Sequence, residues 1–128
     1  MTIKQLFLCL SLFTTTLIQT NVIEVTSETA FQKLILNKQP IIIDFYASWC
    51  PPCQNMKTIF EAVSEQFDKK VIFAKVNVDN LPKLTQRHNI STIPTFVTYY
   101  QGSKVETIVG SQKKEALVSI VQNLLQKS

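Results

Sequence analysis

From Ile41 to Ala47 the chain runs Ile-Ile-Ile-Asp-Phe-Tyr-Ala, and almost at once it reads Trp49-Cys50-Pro51-Pro52-Cys53. A run this apolar leaves a strand without a wet face, so the strand must lie inside a sheet that is covered on both sides. The residues that follow carry Met56, Ile59, Phe60, Val63 and Phe67 on one helical stripe. Pro51 and Pro52 suit the first turn of that helix, because the N–H groups they lack would have no intrahelical partner there. A buried strand running through a tight turn into a helix commits the chain to an α/β architecture.

Two cysteines three apart at a helix start can close a small disulfide ring, and the free N–H groups and positive dipole end of the helix favour the thiolate of the first. Cys50 is therefore the expected attacking sulfur and Cys53 its partner. Half of a zinc site is a competing reading, but tetrahedral zinc needs four ligands and only Cys9, His88 or a second chain could supply the rest. An inert buried pair is the third.

The first twenty residues differ from the rest. Lys4 gives a short basic start, Leu6 to Phe13 is almost wholly apolar, and Thr14 to Thr20 is small and polar. This is the pattern of a secretory signal peptide, expected over residues 1–20 with cleavage near Thr20, an uncleaved anchor being the alternative. Its apolar run falls short of the ~20 residues of a membrane span, so no stable membrane insertion is expected after its removal. Removal would take Cys9 and leave Cys50 and Cys53 as the only thiols, which suits exchange rather than bracing. The remainder, 21–128, has the length of one domain. The net charge of +4 is scattered without a basic run, which argues for solubility and not for nucleic acid.

Along the chain, Val22 to Val25 is a short strand, and Thr26 or Ser27 can cap a helix reaching about Asn37. The helix after Cys50 ends near Asp68. Val71 to Val78 is the next strand, with Lys75 among its apolar residues, and Leu81 to Arg87 is a short helix. Thr95 to Tyr100 and Val105 to Val109 are antiparallel strands joined by Gln101-Gly102-Ser103-Lys104. A last helix from about Gln112 to Gln126 is expected to bury Ala116, Leu117, Ile120, Val121, Leu124 and Leu125. The expected order is β-α-β-α-β-α-β-β-α. Tyr46 reads as a packing residue, and His88 as a surface helix residue.

These residues resemble the thioredoxin family from about Val22 to Leu125. Asp44-Phe45-Tyr46-Ala47-Ser48-Trp49-Cys50-Pro51-Pro52-Cys53 is similar to that family's strand and active-site turn, Ala74-Lys75-Val76-Asn77-Val78-Asp79 to its third strand, and Ile93-Pro94-Thr95-Phe96 to its cis-proline loop. The resemblance implies a central mixed five-stranded sheet flanked by four helices. It also implies Cys50 as nucleophile, Cys53 as resolving thiol, Asp44 as a buried carboxylate near it, and Lys75 as that carboxylate's neighbour. An Asp in an apolar strand loses hydration, so its pKa should rise, and it could take the proton that Cys53 must lose. The other reading of this pair is structural, each charge neutralising the other. Trp49, Pro51, Pro52, Ile93, a cis Pro94 and Gly110 would line the substrate groove. Two departures stand out: Pro51 where thioredoxins usually have Gly, and Gln54 where they often have Lys. Both remove groups that would stabilise the Cys50 thiolate, which argues against an extreme oxidant.

The function so implied is a thiol–disulfide oxidoreductase in cell redox homeostasis, secreted or lumenal, acting on disulfides of protein substrates. Its electrons would come from a dithiol or a reductase, with no cofactor beyond the cysteine pair and no metal. Two alternatives differ in class. One is a disulfide oxidase or isomerase of a secretory compartment, although Gln126-Lys127-Ser128 is not a retention signal. The other is a binding module, the groove serving as a platform in a larger secreted complex.

Overall fold

The computed structural model of the protein describes residues 20–128. The elements are β1 (Val22–Glu24), α1 (Glu28–Ile35), β2 (Ile41–Tyr46), α2 (Pro51–Gln66), β3 (Ile72–Asn77), α3 (Pro82–Arg87), β4 (Thr95–Tyr100), β5 (Ser103–Val109) and α4 (Lys114–Lys127). They form one five-stranded sheet in the order β1-β3-β2-β4-β5. The β1–β3 and β3–β2 pairs are parallel, while β2–β4 and β4–β5 are antiparallel. This is the mixed sheet with four helices that the element order and the resemblance imply.

The continuous apolar run in β2 has its cause in the two layers around it. Successive side chains of a strand point to opposite faces. Ile41, Ile43 and Phe45 join Phe31, Ile35, Leu84 and Tyr99 on the α1 and α3 side. Ile42 joins Met56, Phe60, Val63, Leu117, Val121 and Leu124 on the α2 and α4 side. Each fully buried side chain of this size stabilises the fold by about 1.5–3 kcal/mol. Asp44 has the parity of Ile42 and so faces the layer in which α2 begins.

Several local expectations are corrected. Helix α1 ends at Ile35 instead of Asn37: Asn37 Oδ1 accepts from the Gln39 N–H at 3.0 Å, closing a turn, and Leu36 is left 70% exposed. Of the two candidate caps, Ser27 takes the position, accepting from the Ala30 N–H. The hairpin connection is two residues, not four. Gln101 and Gly102 both have positive φ (49° and 81°), the conformation that matches the twist of the flanking strands, so β5 starts at Ser103. The register shifts between Thr98 and Tyr99, which pair with Glu106 and Lys104. Helix α4 starts at Lys114 because Gln112 is held outside it, its N–H lying 3.3 Å from Met56 Sδ and its side chain donating to the Gly110 carbonyl. Ala116 is exposed, lying off the Leu117, Val121 and Leu124 stripe, and Ile120 and Leu125 are only half-buried.

Among the described residues no helix is long and apolar enough to cross a membrane. The expected signal peptide and Cys9 lie outside the described residues.

Candidate active site

Strand β2 delivers the chain through Ala47, Ser48 and Trp49 to Cys50, which caps the N-terminus of α2. Pro51 and Pro52 occupy the first turn, as their missing N–H groups allow. Cys50 and Cys53 are joined in a disulfide with their Cα atoms 5.2 Å apart. The Cys53 N–H donates to Cys50 Sγ at 3.3 Å. With prolines at 51 and 52, this amide at the helix N-terminus is the donor that the turn offers to the first sulfur. Gln54 turns its amide to the Ser48 carbonyl at 2.8 Å, which ties the loop before the disulfide to the helix after it.

Three segments frame the sulfurs. Trp49 is 68% exposed, its indole Nε1 donating to Asp79 Oδ2 at 2.8 Å. The Ile93–Pro94 peptide is cis, and the Ile93 carbonyl oxygen lies 4.0 Å from Cys50 Sγ. Gly110, at φ +93°, donates its N–H to the Pro94 carbonyl at 2.8 Å. A side chain at 110 would meet open space but would be strained by that φ, which is the physical case for glycine there. Trp49, Val109 and the half-buried Ile93 thus form an apolar rim, while Pro94 and both cysteines are buried.

Behind the disulfide is a cavity of about 260 Å³, lined by Cys53, Asp44, Tyr46, Lys57, Glu61 and Lys75 among others. Asp44 is 4% exposed and its Oδ1 has no hydrogen-bond partner among the described residues. Burial pushes its carboxyl up to about 7; Lys75 pulls it back and Glu24 adds to the rise. Lys75 is the cross-strand neighbour of Asp44, as the resemblance implies. Among the described residues the ion pair that Lys75 makes within 4 Å is with Glu24, at 3.4 Å, while its charge still acts on the Asp44 carboxyl from a greater distance.

The fold thus gathers Trp49, Cys50, Pro51, Pro52, Cys53, Ile93, Pro94 and Gly110 at one end of the sheet, with Asp44 and Lys75 beneath. Tyr46 is not simply a packing residue, since its hydroxyl donates to the Glu24 carboxylate at 2.9 Å. His88 is not a plain surface residue. It caps the C-terminus of α3, its ring 4.7 Å from that of Phe31 and its Nδ1 3.1 Å from the Tyr99 hydroxyl. Burial lowers its pKa, with Lys104 and Arg87 adding to the effect. Among the described residues no cluster of three or more His, Cys, Asp and Glu side chains could hold a metal ion. Sequence reasoning missed Glu24 and Asp79. Asp79 lay within a motif already singled out, whereas Glu24 had no signal beyond its place in a short β-rich run.

Comparison with known proteins places the chain in a family. The thioredoxin family model matches residues 21–123. The chain is 38% identical over 87 residues to thioredoxin 1 of Plasmodium falciparum, covering 68% of this chain and 83% of that one. It is 38% identical over 96 residues to the thioredoxin of Alicyclobacillus acidocaldarius, covering 75% and 91%. Among solved structures, the oxidised thioredoxin of Plasmodium falciparum superposes with a TM-score of 0.72 at 35% identity, covering 80% of this chain and 96% of that one. Oxidised mitochondrial thioredoxin 3 of Saccharomyces cerevisiae gives 0.75 at 30%, covering 82% and 97%.

Proposed function

The chain belongs to the thioredoxin family, and on that premise we propose that it is a secreted or lumenal thioredoxin with a Trp-Cys-Pro-Pro-Cys active site, working through a mixed disulfide on Cys50. Its activity is that of a thioredoxin-like thiol–disulfide oxidoreductase, carried by the Cys50–Cys53 pair itself.

The observation that carries the mechanism is the placement of the two sulfurs. One is capped by an amide at a helix N-terminus and faces the Ile93 carbonyl; the other borders the cavity that holds Asp44. In the dithiol form the Cys50 thiolate attacks one sulfur of a substrate disulfide. The Cys50–substrate bond forms, and the other substrate sulfur leaves as a thiolate that water protonates. Cys53 then gives its proton to the Asp44 carboxylate and attacks Cys50 Sγ. The Cys50–Cys53 bond forms and the second substrate thiolate departs, so two electrons have passed from the dithiol to the substrate. An acid of pKa about 7 is well matched to accept that proton near neutrality and release it to water. The backbone groups of Ile93 beside Cys50 offer an extended substrate segment its pairing, with apolar contact from Trp49, Pro51 and Pro52 and close approach at Gly110.

Secretion rests on Lys4, the Leu6 to Phe13 run and the small polar residues after it. A dithiol or a reductase must return the electrons. The same residues would serve an oxidase or isomerase in an oxidising lumen, and the reduction potential separates the two. A value near −270 mV marks a reductant, one near −180 or −120 mV an isomerase or oxidase.

The test of enzyme against docking platform is a trap. Cys53→Ser should let Cys50 attack but not be displaced, so client proteins accumulate in complexes that reducing agent dissolves. Cys50→Ser should capture little. Partners that copurify equally with wild type and both variants, and survive reduction, would leave a platform instead.

A further inference from the structure

Glu24, Lys75 and Asp44 stand in one row across three neighbouring strands. In the register of the sheet Glu24 of β1 pairs with Lys75 of β3, and Lys75 pairs with Asp44 of β2. Paired residues of adjacent strands share a face, so one ammonium lies between two carboxyl groups. It is not shared evenly. Lys75 Nζ is 3.4 Å from Glu24 Oε2 and 5.4 Å from the centroid of the Tyr46 ring. The Tyr46 hydroxyl donates to both Glu24 oxygens, at 2.9 and 3.1 Å, and so fixes the carboxylate that holds the lysine. Burial and Glu24 push that hydroxyl up to about 12, which keeps it a donor at neutral pH.

The two ends of the row differ in hydration. β1 is the edge of the sheet, and the Lys75 and Glu24 side chains are 29% and 36% exposed, against 4% for Asp44. The charged pair therefore occupies the wet end, and the carboxyl whose Oδ1 has no hydrogen-bond partner among the described residues the dry one. We propose that Glu24 is a positioning residue for the Cys53 step: with Tyr46 it draws the Lys75 ammonium to the sheet edge and keeps it from pairing with Asp44. The inference rests on the reading of Asp44 as proton acceptor. A lysine swung onto Asp44 would favour the ionised carboxylate and make it a weaker base. The other groups facing Asp44 are Lys57 and Glu61, which line the cavity from α2 with Cys53; β4 places Phe96 opposite it.

Glu24→Gln keeps the size and removes the charge that holds Lys75. The Asp44 carboxyl, titrated by carbon NMR in the oxidised full-length protein, should change charge at a pH lower by at least ~0.5, about a threefold loss of proton affinity. The pH midpoint of the second chemical step should move down with it. In a Lys75→Met background the same substitution should move the carboxyl midpoint by less than half as much, since Glu24 acts through the lysine. An unmoved midpoint in Glu24→Gln overturns the proposal, as does an equal shift in both backgrounds, which would mean direct repulsion between the two acids. A carboxyl midpoint that moves while the rate profile stays would support the placement of Lys75 but overturn the role of Asp44 as acceptor, and with it the part of Glu24 in the Cys53 step. A structural role for Glu24 at the sheet edge would lower stability and leave both midpoints in place.

Discussion

The indole Nε1 of Trp49 donates to Asp79 Oδ2 at 2.8 Å, fastening the residue before the disulfide to the loop after β3. Both residues are exposed, and the Asp79 amide is itself held by Asn77 Oδ1 at 3.0 Å. The indole is thereby pre-oriented as part of the apolar rim.

Asp79→Ala should free the indole and leave the core untouched. Global stability should fall by no more than about 1 kcal/mol, the net worth of one exposed hydrogen bond. The KM for a protein disulfide should rise several-fold while kcat changes little, because ordering Trp49 then has to be completed at binding. Steady-state kinetics with a protein substrate checks this, and an unchanged KM would remove Trp49 from the groove.

Asp44 sets a pH dependence of stability with an unusual sign. Its carboxyl is raised from an ordinary 3.8 to about 7 in the fold, so between those values the native state binds a proton that the unfolded chain has released. Stability should fall as pH rises from about 4 to 7, with the full cost, about 4 kcal/mol, present only above that range. Asp44→Ala should abolish this slope and be more stable at pH 8, with Lys75 still paired to Glu24. Urea unfolding of the oxidised protein across pH measures it, and parallel profiles for wild type and variant would contradict it.

In kinetics the same variant should separate the two chemical steps. Asp44→Ala should slow release of substrate from the mixed disulfide by about 100-fold near neutral pH, the low end for general-base catalysis, and slow the first attack far less. Rapid-quench trapping of the intermediate resolves the steps. Equal second-step rates between about pH 6 and 8, the range around a base of this strength, would reject Asp44 as acceptor.

The basic start at Lys4 and the Leu6 to Phe13 run predict that native material begins near Asn21. Intact-mass spectrometry of protein from its source checks this. An N-terminus still carrying Cys9 would defeat both the signal peptide and the count of two thiols.

What the residues by themselves determined were the features whose cause is local. A run from Ile41 to Ala47 that is apolar on both strand faces apart from Asp44 reads as a covered strand, prolines at 51 and 52 fit a helix only in its first turn, and a cysteine pair at that turn is where a thiolate is favoured. The rise of the Asp44 pKa was legible for a related reason, since an Asp inside a strand covered on both faces must lose its hydration whichever face it takes. Contacts between strands far apart in the chain were not legible. Which carboxylate holds Lys75 depends on β1 lying beside β3, and Glu24 comes 51 positions before Lys75. His88 became a partner of Phe31 and Tyr99 only when α1 and β4 packed around the end of α3. Ala116 left the core because the rotation of α4 about its axis is set by Leu117, Val121 and Leu124 meeting the sheet, and one small apolar residue adds too little buried area to turn a helix. Helical and strand periods are written in each segment, whereas the pairing of charges and the seating of helices are properties of surfaces that exist only after the sheet has assembled.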